Sequence, residues 1–135
     1  MLKWFQQSSS SSDLFSSAIT GNIRRARRAI SSGVPVDIKD TSGRTALCLA
    51  AKYGQVEFLK FLLVAGANVN HAGPDGRTPL YYAIYSRSNE AVRLLVASGA
   101  LLDVRDSVGY SPYDYAVSRS QTEILELLRS RNEED

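Results

Sequence analysis

The residue types that most often carry out catalysis or hold metal ions are almost absent from this sequence of 135 residues. Cys48 is the only cysteine and His71 the only histidine, whereas a structural zinc site needs about four such ligands. A Ser-His-Asp hydrolase would need His71, which lies in the turn-rich stretch NVNHAG and is expected to be solvated. Neither phosphate-binding pattern, GxxxxGK[ST] or GxGxxG, occurs. The sequence therefore predicts no enzyme, no metal site and no cofactor.

The most basic stretch is GNIRRARRAI, residues 21–30, which holds Arg24, Arg25, Arg27 and Arg28. Residues 1–33 carry five Lys and Arg side chains against one acidic residue, although the net charge of the whole chain is only +2. Such a cluster suits an acidic partner, for example nucleic acid, a phosphorylated protein or a lipid head group. The overall composition, 22% charged and 44% hydrophobic, is instead that of an ordinary soluble protein and argues against a nucleic-acid binder.

Residues of the same type recur at a spacing of 33 along the chain. The recurring positions are two glycines, a Thr or Ser, a Leu and an Ala: Gly33, Gly66 and Gly99; Gly43, Gly76 and Gly109; Thr45, Thr78 and Ser111; Leu14, Leu47, Leu80 and Tyr113; Ala50, Ala83 and Ala116. A fixed spacing of this length is typical of proteins built from stacked repeats. Four copies can be aligned, the first of them through its second part.

Each copy predicts two short helices and a turn-rich tip. The hydroxyl of Thr45, Thr78 or Ser111 is expected to cap the first helix, and Pro79 and Pro112 suit its first position because they lack an amide hydrogen. A glycine turn leads to a second apolar helix, and the remainder, NHAGPDGRT in the second copy, reads as an extended tip. Because no copy can bury its apolar faces alone, the copies must stack.

The stretches GRTALCLAA, GRTPLYYA and AGANVN, with the 33-residue spacing, resemble the ankyrin repeat, whose signature contains T-P-L-H-x-A. The resemblance covers about residues 13–131 and implies an all-α solenoid of stacked helix-turn-helix units with β-turn or hairpin tips. It divides the chain into a flexible Ser-rich segment (1–12), four repeats (about 13–39, 40–72, 73–105 and 106–131) and an acidic tail (132–135). Ser12 or Asp13 is expected to cap the first helix.

The chain departs from the family pattern at two positions. The usual His after Leu is Cys48, Tyr81 and Asp114 in the last three copies. The glycine between the two helices becomes Arg87 in the third copy and Ser120 in the fourth. These replacements put the local turn geometry in question but not the fold.

The alignment of the repeats gives the arginines a second interpretation. Arg25 aligns with Phe58, Ala91 and Ile124, and Arg28 aligns with Phe61, Leu94 and Leu127. In the later copies these apolar side chains are expected to pack against the preceding repeat, which the first copy lacks. We therefore predict that the first repeat is a polar cap, and that the last repeat caps the other end more weakly.

Ankyrin-family proteins generally bind partner proteins through the tips and the concave face formed by the first helices, and the resemblance implies the same surface here. The predicted partner-binding residues are Arg44, Lys52, Tyr53, Asp75, Arg77, Tyr82, Tyr85, Ser86, Val108, Tyr110 and Arg119. Tyr and Arg are enriched in interface hot spots. Adjacent helices pack about 8–10 Å apart, so these side chains are expected to form one strip that suits an acidic partner with apolar anchors.

The sequence as a whole predicts a non-catalytic protein–protein interaction module, an adaptor or scaffold that is monomeric on its own. One alternative is a four-repeat regulator, because GALLDVRDSVGYSPYDYA is loosely similar to inhibitors of cyclin-dependent kinases. A second is a reader of anionic surfaces, nucleic acid or lipid, through Lys3 and the arginine cluster. A third is the repeat region of a larger enzyme or channel.

The compartment is predicted from what the sequence lacks. No apolar run approaches the roughly 20 residues of a membrane span, and MLKWFQQ lacks the apolar run of a signal peptide. Trp4 and Phe5 are expected to cover the first repeat or touch a partner, because one Trp and one Phe are too little for stable membrane anchoring. The single cysteine fits a reducing compartment, so we expect the cytoplasm, the nucleus or both.

Overall fold

The computed structural model describes the backbone of residues 2–134 and the side chains of residues 10–131. This part of the chain holds eight α-helices and no strand. The helices are α1 (Leu2–Thr20), α2 (Ile23–Ser31), α3 (Ala46–Lys52), α4 (Val56–Val64), α5 (Pro79–Tyr85), α6 (Asn89–Ala97), α7 (Pro112–Ser118) and α8 (Thr122–Glu134). They form four consecutive helix pairs, so the predicted all-α stack of helix-turn-helix units is confirmed.

The helix pairs stack in order, so that the molecule has two rows of helices. The first helices of the pairs contact one another in the sequence α1, α3, α5 and α7, and we call them the inner helices. The second helices α4, α6 and α8 also contact in order, and with α2 they form the outer row. Each position of the 33-residue unit therefore lies beside the same position of the neighbouring unit.

The core lies between the two rows and is continuous from the first helix pair to the last. The repeated leucine position contributes Leu14, Leu47 and Leu80, all fully buried. Alanines that recur on the inner helices, among them Ala50 and Ala83, are buried as well. Small side chains at these positions let neighbouring helices pack closely, which explains why the unit repeats an alanine there.

The inner helices begin as predicted, with one exception. The Thr45 hydroxyl accepts a hydrogen bond from the Cys48 amide at 3.4 Å, and Ser111 forms a capping box with Asp114. Thr78 has the extended backbone of a cap, but its hydroxyl makes no capping hydrogen bond. The amide of Tyr81 donates instead to the Thr78 backbone carbonyl at 3.0 Å, so the predicted hydroxyl cap is wrong for Thr78.

The turns between the paired helices keep one geometry although the residue changes. Gly21 and Gly54 have φ of 82° and 67°, in the left-handed region that favours glycine. Arg87 and Ser120, which replace glycine in the third and fourth copies, adopt φ of 60° and 54°. The departures from the family pattern thus leave the turn intact, with a non-glycine residue in an unfavourable backbone conformation.

The N-terminal helix is longer than the sequence indicated. Helix α1 is continuous from Leu2 to Thr20, so the prediction that Ser12 or Asp13 caps its start is wrong. Serine is an intermediate helix former, so the run of serines can extend toward the N-terminus the helix that is anchored by the buried Leu14. The side chains of Trp4 and Phe5 lie outside the described residues, and their role stays a prediction, as does the division of the chain into segments.

The C-terminal helix also extends further than predicted. Helix α8 runs from Thr122 to Glu134 and so includes most of the segment expected to be a tail. Within residues 2–134, no helix combines the length and the apolar character that crossing a membrane requires.

Each tip is a tight turn closed by a backbone hydrogen bond. The amides of Asp40, Gly73 and Asp106 donate to the carbonyls of the residues four positions later, at 2.8, 3.1 and 2.9 Å. Neighbouring tips also contact each other, since the Ser107 amide donates to the Asp75 carbonyl at 2.8 Å. The tips therefore stack beside the inner helices and carry Arg44, Arg77 and Tyr110 at equivalent places.

Candidate functional site

Side chains of the inner helices and the tips line a half-open pocket of about 180 Å³. Its lining consists of Lys52, Arg77, Tyr81, Tyr82, Tyr85 and Tyr115, and we call it the tyrosine pocket. Four of these six residues belong to the strip predicted from the sequence: Lys52, Arg77, Tyr82 and Tyr85. Helix α5 supplies half of the lining and the tip before it supplies Arg77, and α3 and α7 close it from either side.

The sequence prediction missed two lining residues, Tyr81 and Tyr115. Tyr115 lies 33 residues after Tyr82, so the repeat spacing that located Tyr82 could have located it as well. Tyr81 occupies the position where the family usually has His, and that replacement alone does not indicate a place in the pocket. Its ring is buried, and the Tyr81 and Tyr115 rings lie 6.0 Å apart.

Cationic side chains lie over the faces of the tyrosine rings around the pocket. The guanidinium of Arg119 is 5.0 Å from the Tyr85 ring centre and 5.6 Å from that of Tyr115. Arg77 lies over the same Tyr115 ring at 5.5 Å, and Lys52 lies 5.7 Å from the Tyr53 ring. These cation–π contacts hold long side chains in place at the pocket rim.

Arg77 is further fixed by acidic residues of two tips. Its Nε donates to Asp106 at 3.2 Å and lies 4.0 Å from Asp75. Burial alone would lower the pKa of Arg77, but the hydrogen bond to Asp106 and the charges of both carboxylates outweigh it and raise the pKa. Arg77 is therefore a permanent cation on the pocket wall, with its charge largely neutralised.

Asp106 has no solvent-exposed side-chain surface. Desolvation would raise its pKa, but the amides of Tyr110 and Val108 and the Arg77 guanidinium donate to the carboxylate and lower the pKa overall. The two amides lie 2.9 and 3.0 Å from Oδ1. This buried, ionised carboxylate joins the third tip to the fourth.

The hydroxyl of Tyr81 points away from the pocket and has a structural partner. It lies 2.8 Å from the Val104 carbonyl and 2.5 Å from the Tyr110 carbonyl, which share its single proton. Desolvation, followed by the charge of Asp106, raises the pKa of Tyr81 to about 12. The phenol is therefore a neutral hydrogen-bond donor at physiological pH.

Tyr82 presents a second phenol of raised pKa to the pocket. Desolvation is the main cause, and the negative charge of Asp75 adds to it. The raised pKa keeps the hydroxyl protonated, and because the ring is only partly buried, the hydroxyl can donate a hydrogen bond to a bound group.

The other predicted residues do not line the pocket. Arg44 pairs with Asp40 at 3.4 Å on the second tip, and the Ser86 hydroxyl donates to the Ala83 carbonyl at 2.9 Å. Val108 and Tyr110 lie on the fourth tip, where they are 67% and 44% exposed. The structure thus places the predicted strip at the ends of inner helices and on tips, with a partly enclosed pocket around Tyr82 and Tyr85.

The N-terminal arginines lie at the opposite end of the stack. Arg25 pairs with Asp13 at 2.5 Å, and Arg25 and Arg28 are exposed. Phe58, Ala91 and Ile124, which align with Arg25, are each only 1% exposed. The residues that align with Arg28 are partly buried: Phe61, Leu94 and Leu127. The predicted difference between a polar first copy and buried later copies is therefore confirmed at the Arg25 position and holds in part at the Arg28 position.

A second cavity, of about 280 Å³, lies beside these arginines. Asp13, Asn22, Arg24, Arg25 and Arg28 line it. It is open to solvent, and the Asp13 carboxylate already pairs with Arg25, as expected for a solvated end face.

Cys48 and His71, the cysteine and the histidine of the chain, have surroundings that indicate a structural role. Cys48 is a buried free thiol, and desolvation raises its pKa, against the hydrogen bond to Thr45. His71 Nε2 lies 3.4 Å from the Gly43 carbonyl. Among the described residues no group of three or more His, Cys, Asp or Glu side chains is placed to hold a metal ion.

Comparison with known protein families gives one match, to a model described as ankyrin repeats (three copies), over residues 14–106 and 66–135. The two matched ranges overlap and together extend over nearly the whole chain. Among curated proteins, none matches the chain in sequence.

Proposed function

Because the chain belongs to the ankyrin repeat family, whose members generally mediate protein–protein interactions, we propose that it is a non-catalytic interaction module. Its partner protein binds the concave side, where the inner helices and the tips meet. The four helix pairs correspond to four repeats, of which the first and last serve as caps. The binding residues are those of the tyrosine pocket and the neighbouring tips.

The single observation that supports this function is the clustering of Tyr and Arg side chains in one partly enclosed place. Arg119 stacks on Tyr85 and Tyr115, and Arg77 stacks on Tyr115. Tyr81 belongs to the buried core, whereas Tyr85 is 48% exposed and Arg77 and Arg119 lie outside the core, so packing of the solenoid does not by itself require these three side chains there. Rigid aromatic and Arg side chains around a pocket are the usual composition of a binding hot spot.

The structure also suggests which surface variants leave the fold unchanged. Tyr53 and Tyr85 are each 48% exposed, so their truncation to alanine removes contact area without opening a cavity in the core. Arg77 is a poorer choice because its loss leaves the buried Asp106 carboxylate without its cation. The test therefore uses Tyr53→Ala/Tyr85→Ala.

The experiment is affinity capture from a native lysate followed by mass spectrometry, with wild type and Tyr53→Ala/Tyr85→Ala side by side. A matched control, Val64→Ala/Arg93→Ala, changes two exposed residues of the outer helices. We expect a protein that is captured by wild type and by the control but lost with the tyrosine variant. Capture that is the same for all three proteins would show that the concave side is not the binding surface.

The compartment and the oligomeric state follow from the same proposal. A free buried thiol at Cys48 suits the reducing cytoplasm or nucleus, and the polar first repeat suits a monomer. Fluorescence microscopy of the tagged protein tests the first point, and light scattering coupled to size-exclusion chromatography tests the second.

A further inference from the structure

Two cations at the tyrosine pocket have no carboxylate partner. Lys52 lines the pocket from the end of α3, and Arg119 caps α7 on the other side of α5. Among the described residues, neither side chain forms an ion pair with Asp or Glu. Their charge is therefore available to a bound molecule.

The other two cations of the concave side are neutralised within the chain. Arg77 pairs with the inaccessible Asp106, and Arg44 pairs with Asp40. Lys52 and Arg119 therefore add uncompensated charge next to the pocket, and Arg87, whose Nη2 donates to the Arg119 carbonyl at 3.3 Å, adds to the charge on the Arg119 side. A basic occupant would be repelled at both flanks, whereas an acidic one would be attracted at both.

Arg119 is held ready for an acceptor. Its guanidinium lies over two tyrosine rings, and Nη2 reaches the Tyr85 carbonyl only at 3.5 Å. Nε is buried without a hydrogen-bond partner, so the terminal Nη1 and Nη2 groups are the donors for a bound acceptor. A stacked guanidinium loses little further freedom when it binds a carboxylate. The side chain is thus fixed in position while most of its donors are unused.

The size of the pocket limits what can enter between the two cations. Its volume of about 180 Å³ is below the roughly 300–1,000 Å³ of typical small-molecule sites. Tyrosine rings line it on several sides, with the raised-pKa phenol of Tyr82 among them. One apolar or aromatic side chain fits such a volume, and the phenol can donate to the peptide backbone next to it.

The spacing of the cations sets the length of the occupant. Lys52 and Arg119 belong to inner helices separated by one other, so their backbones are about 16–20 Å apart if neighbours pack about 8–10 Å apart. Long side chains that lean over the pocket shorten this distance. An extended chain advances about 3.3 Å per residue, so the two cations match acidic residues about three to five positions apart.

The geometry points to an extended acidic peptide as the occupant of this surface. It carries an apolar or aromatic residue in the tyrosine pocket and Asp or Glu on both sides, which contact Lys52 and Arg119. This inference rests on the proposed function and narrows it, because it specifies the chemistry of the partner segment.

The test begins with selection of binders to the full chain from a phage library of random twelve-residue peptides. We expect peptides with Asp or Glu on both sides of Leu, Tyr or Phe. A selected peptide, fluorescently labelled, is then titrated with wild type, Lys52→Gln/Arg119→Gln, and the control Lys60→Gln/Arg93→Gln. The control removes the same charge from exposed positions of outer helices, and circular dichroism verifies that all variants are folded.

The expected result is a Kd about tenfold weaker for Lys52→Gln/Arg119→Gln, as the loss of two partly exposed ion pairs implies, and an unchanged Kd for the control. Selection on Lys52→Glu/Arg119→Glu should yield basic peptides instead. Wild-type binding should weaken as salt is raised from 50 to 300 mM, because the electrostatic screening length falls from about 14 Å to about 6 Å.

Five results would overturn the inference. Selected peptides without excess Asp or Glu, or peptides that Lys52→Gln/Arg119→Gln binds as wild type does but Tyr85→Ala loses, would refute the acidic occupant and leave the concave surface standing. Equal competition by a polyuridine oligonucleotide would show that any polyanion suffices. Failure to enrich any peptide, or equal binding by Tyr85→Ala and wild type, would refute this inference together with the proposed function.

Discussion

At the scale of single residues, Asp106 and Tyr81 join the third helix pair to the tip that follows it. Asp106 accepts two amide hydrogen bonds of its own tip and one from Arg77 of the preceding tip. Tyr81 reaches the same tip from the inner helix, through the carbonyls of Val104 and Tyr110. Buried polar groups that are fully hydrogen-bonded specify one arrangement of neighbouring elements, since any other arrangement leaves them unsatisfied.

Asp106→Asn should lower the free energy of unfolding by about 2 kcal/mol at pH 7, because hydrogen bonds to a charged group are the stronger kind. Urea denaturation followed by circular dichroism measures this change. Asp103→Asn, at an exposed position three residues earlier, is the matched control and should change little. Equal stability of the two variants would mean that the buried carboxylate does not stabilise the tip.

The same variant predicts a pH dependence. The pKa of Asp106 is lowered in the folded protein, so its contribution to stability is fully present above the ordinary pKa of about 4 and is lost as the pH falls through the folded value. The stability difference between wild type and Asp106→Asn should therefore shrink between pH 4 and pH 2. A difference that stays constant over this range would contradict the assignment.

Tyr81→Phe should lower the free energy of unfolding by about 1 kcal/mol, the usual net value of one neutral hydrogen bond. The ring and its contact with Tyr115 remain, so peptide binding at the tyrosine pocket should be unchanged. Urea denaturation and titration with a selected peptide separate the two effects. Tyr113→Phe, at a partly buried phenol that accepts a hydrogen bond from the exposed Arg129, is the control and should cost less.

At the scale of elements, the turns between paired helices share a left-handed backbone geometry, and its free-energy cost depends on the residue that adopts it. Gly54 adopts the left-handed conformation without a steric penalty, whereas Arg87 and Ser120 adopt it with a Cβ atom. The turn persists because the helices on both sides are anchored: Gln121, directly after Ser120, donates from Nε2 to the Ile84 carbonyl at 2.5 Å. Tertiary contacts therefore impose a backbone conformation that the local residue disfavours.

Ser120→Gly should raise the free energy of unfolding by about 0.5–1 kcal/mol, because the relief of left-handed strain exceeds the added flexibility of the unfolded chain. Thermal and urea denaturation measure the gain. Ser130→Gly, within helix α8 at an exposed position, is the matched control and should be destabilising by a similar amount. A loss of stability in both variants would show that Ser120 is not strained.

At the scale of the whole molecule, the two ends of the solenoid differ in chemistry. The first helix pair presents exposed arginines where later pairs bury Phe58 or Ile124 against a neighbour. The last pair leaves Val117 50% exposed, whereas Ala51 and Ile84, which precede it by multiples of 33, are fully buried. The N-terminal end is therefore the more polar cap, and its charge opposes stacking of a second copy.

Arg25→Leu/Arg28→Leu should keep the fold and promote self-association through the exposed first repeat, because it restores the apolar side chains of the later copies. Light scattering coupled to size-exclusion chromatography should show an apparent mass that rises with concentration. Arg25→Gln/Arg28→Gln removes the same charges without adding apolar surface and should stay monomeric. A soluble, monomeric leucine variant of unchanged stability would count against the capping role.

The repeat spacing in the sequence was sufficient to predict the architecture. Thr45, Pro79, Gly54 and the repeated Leu and Ala positions each have a local preference that agrees with the helix pair, so pattern and structure coincide. The polar first repeat also followed from alignment of Arg25 with Phe58. The start of α1 could not be predicted from the sequence, because a run of serines is compatible with both a helix and a linker. Packing of the following turn decides between them.

The tyrosine pocket was only partly predictable, for a physical reason. The alignment places Tyr82, Tyr85 and Arg77 on the concave side, but it does not say which cations are neutralised, since pairing depends on distances between repeats. Only the tertiary structure shows that Asp106 pairs with Arg77 and that the Tyr81 hydroxyl donates to the next tip. It also shows that Arg119 lies over the rings of Tyr85 and Tyr115. The 33-residue recurrence can be read along the chain, and it determines how the repeats stack. The charge left at a surface depends on contacts between repeats and is therefore decided by the folded structure.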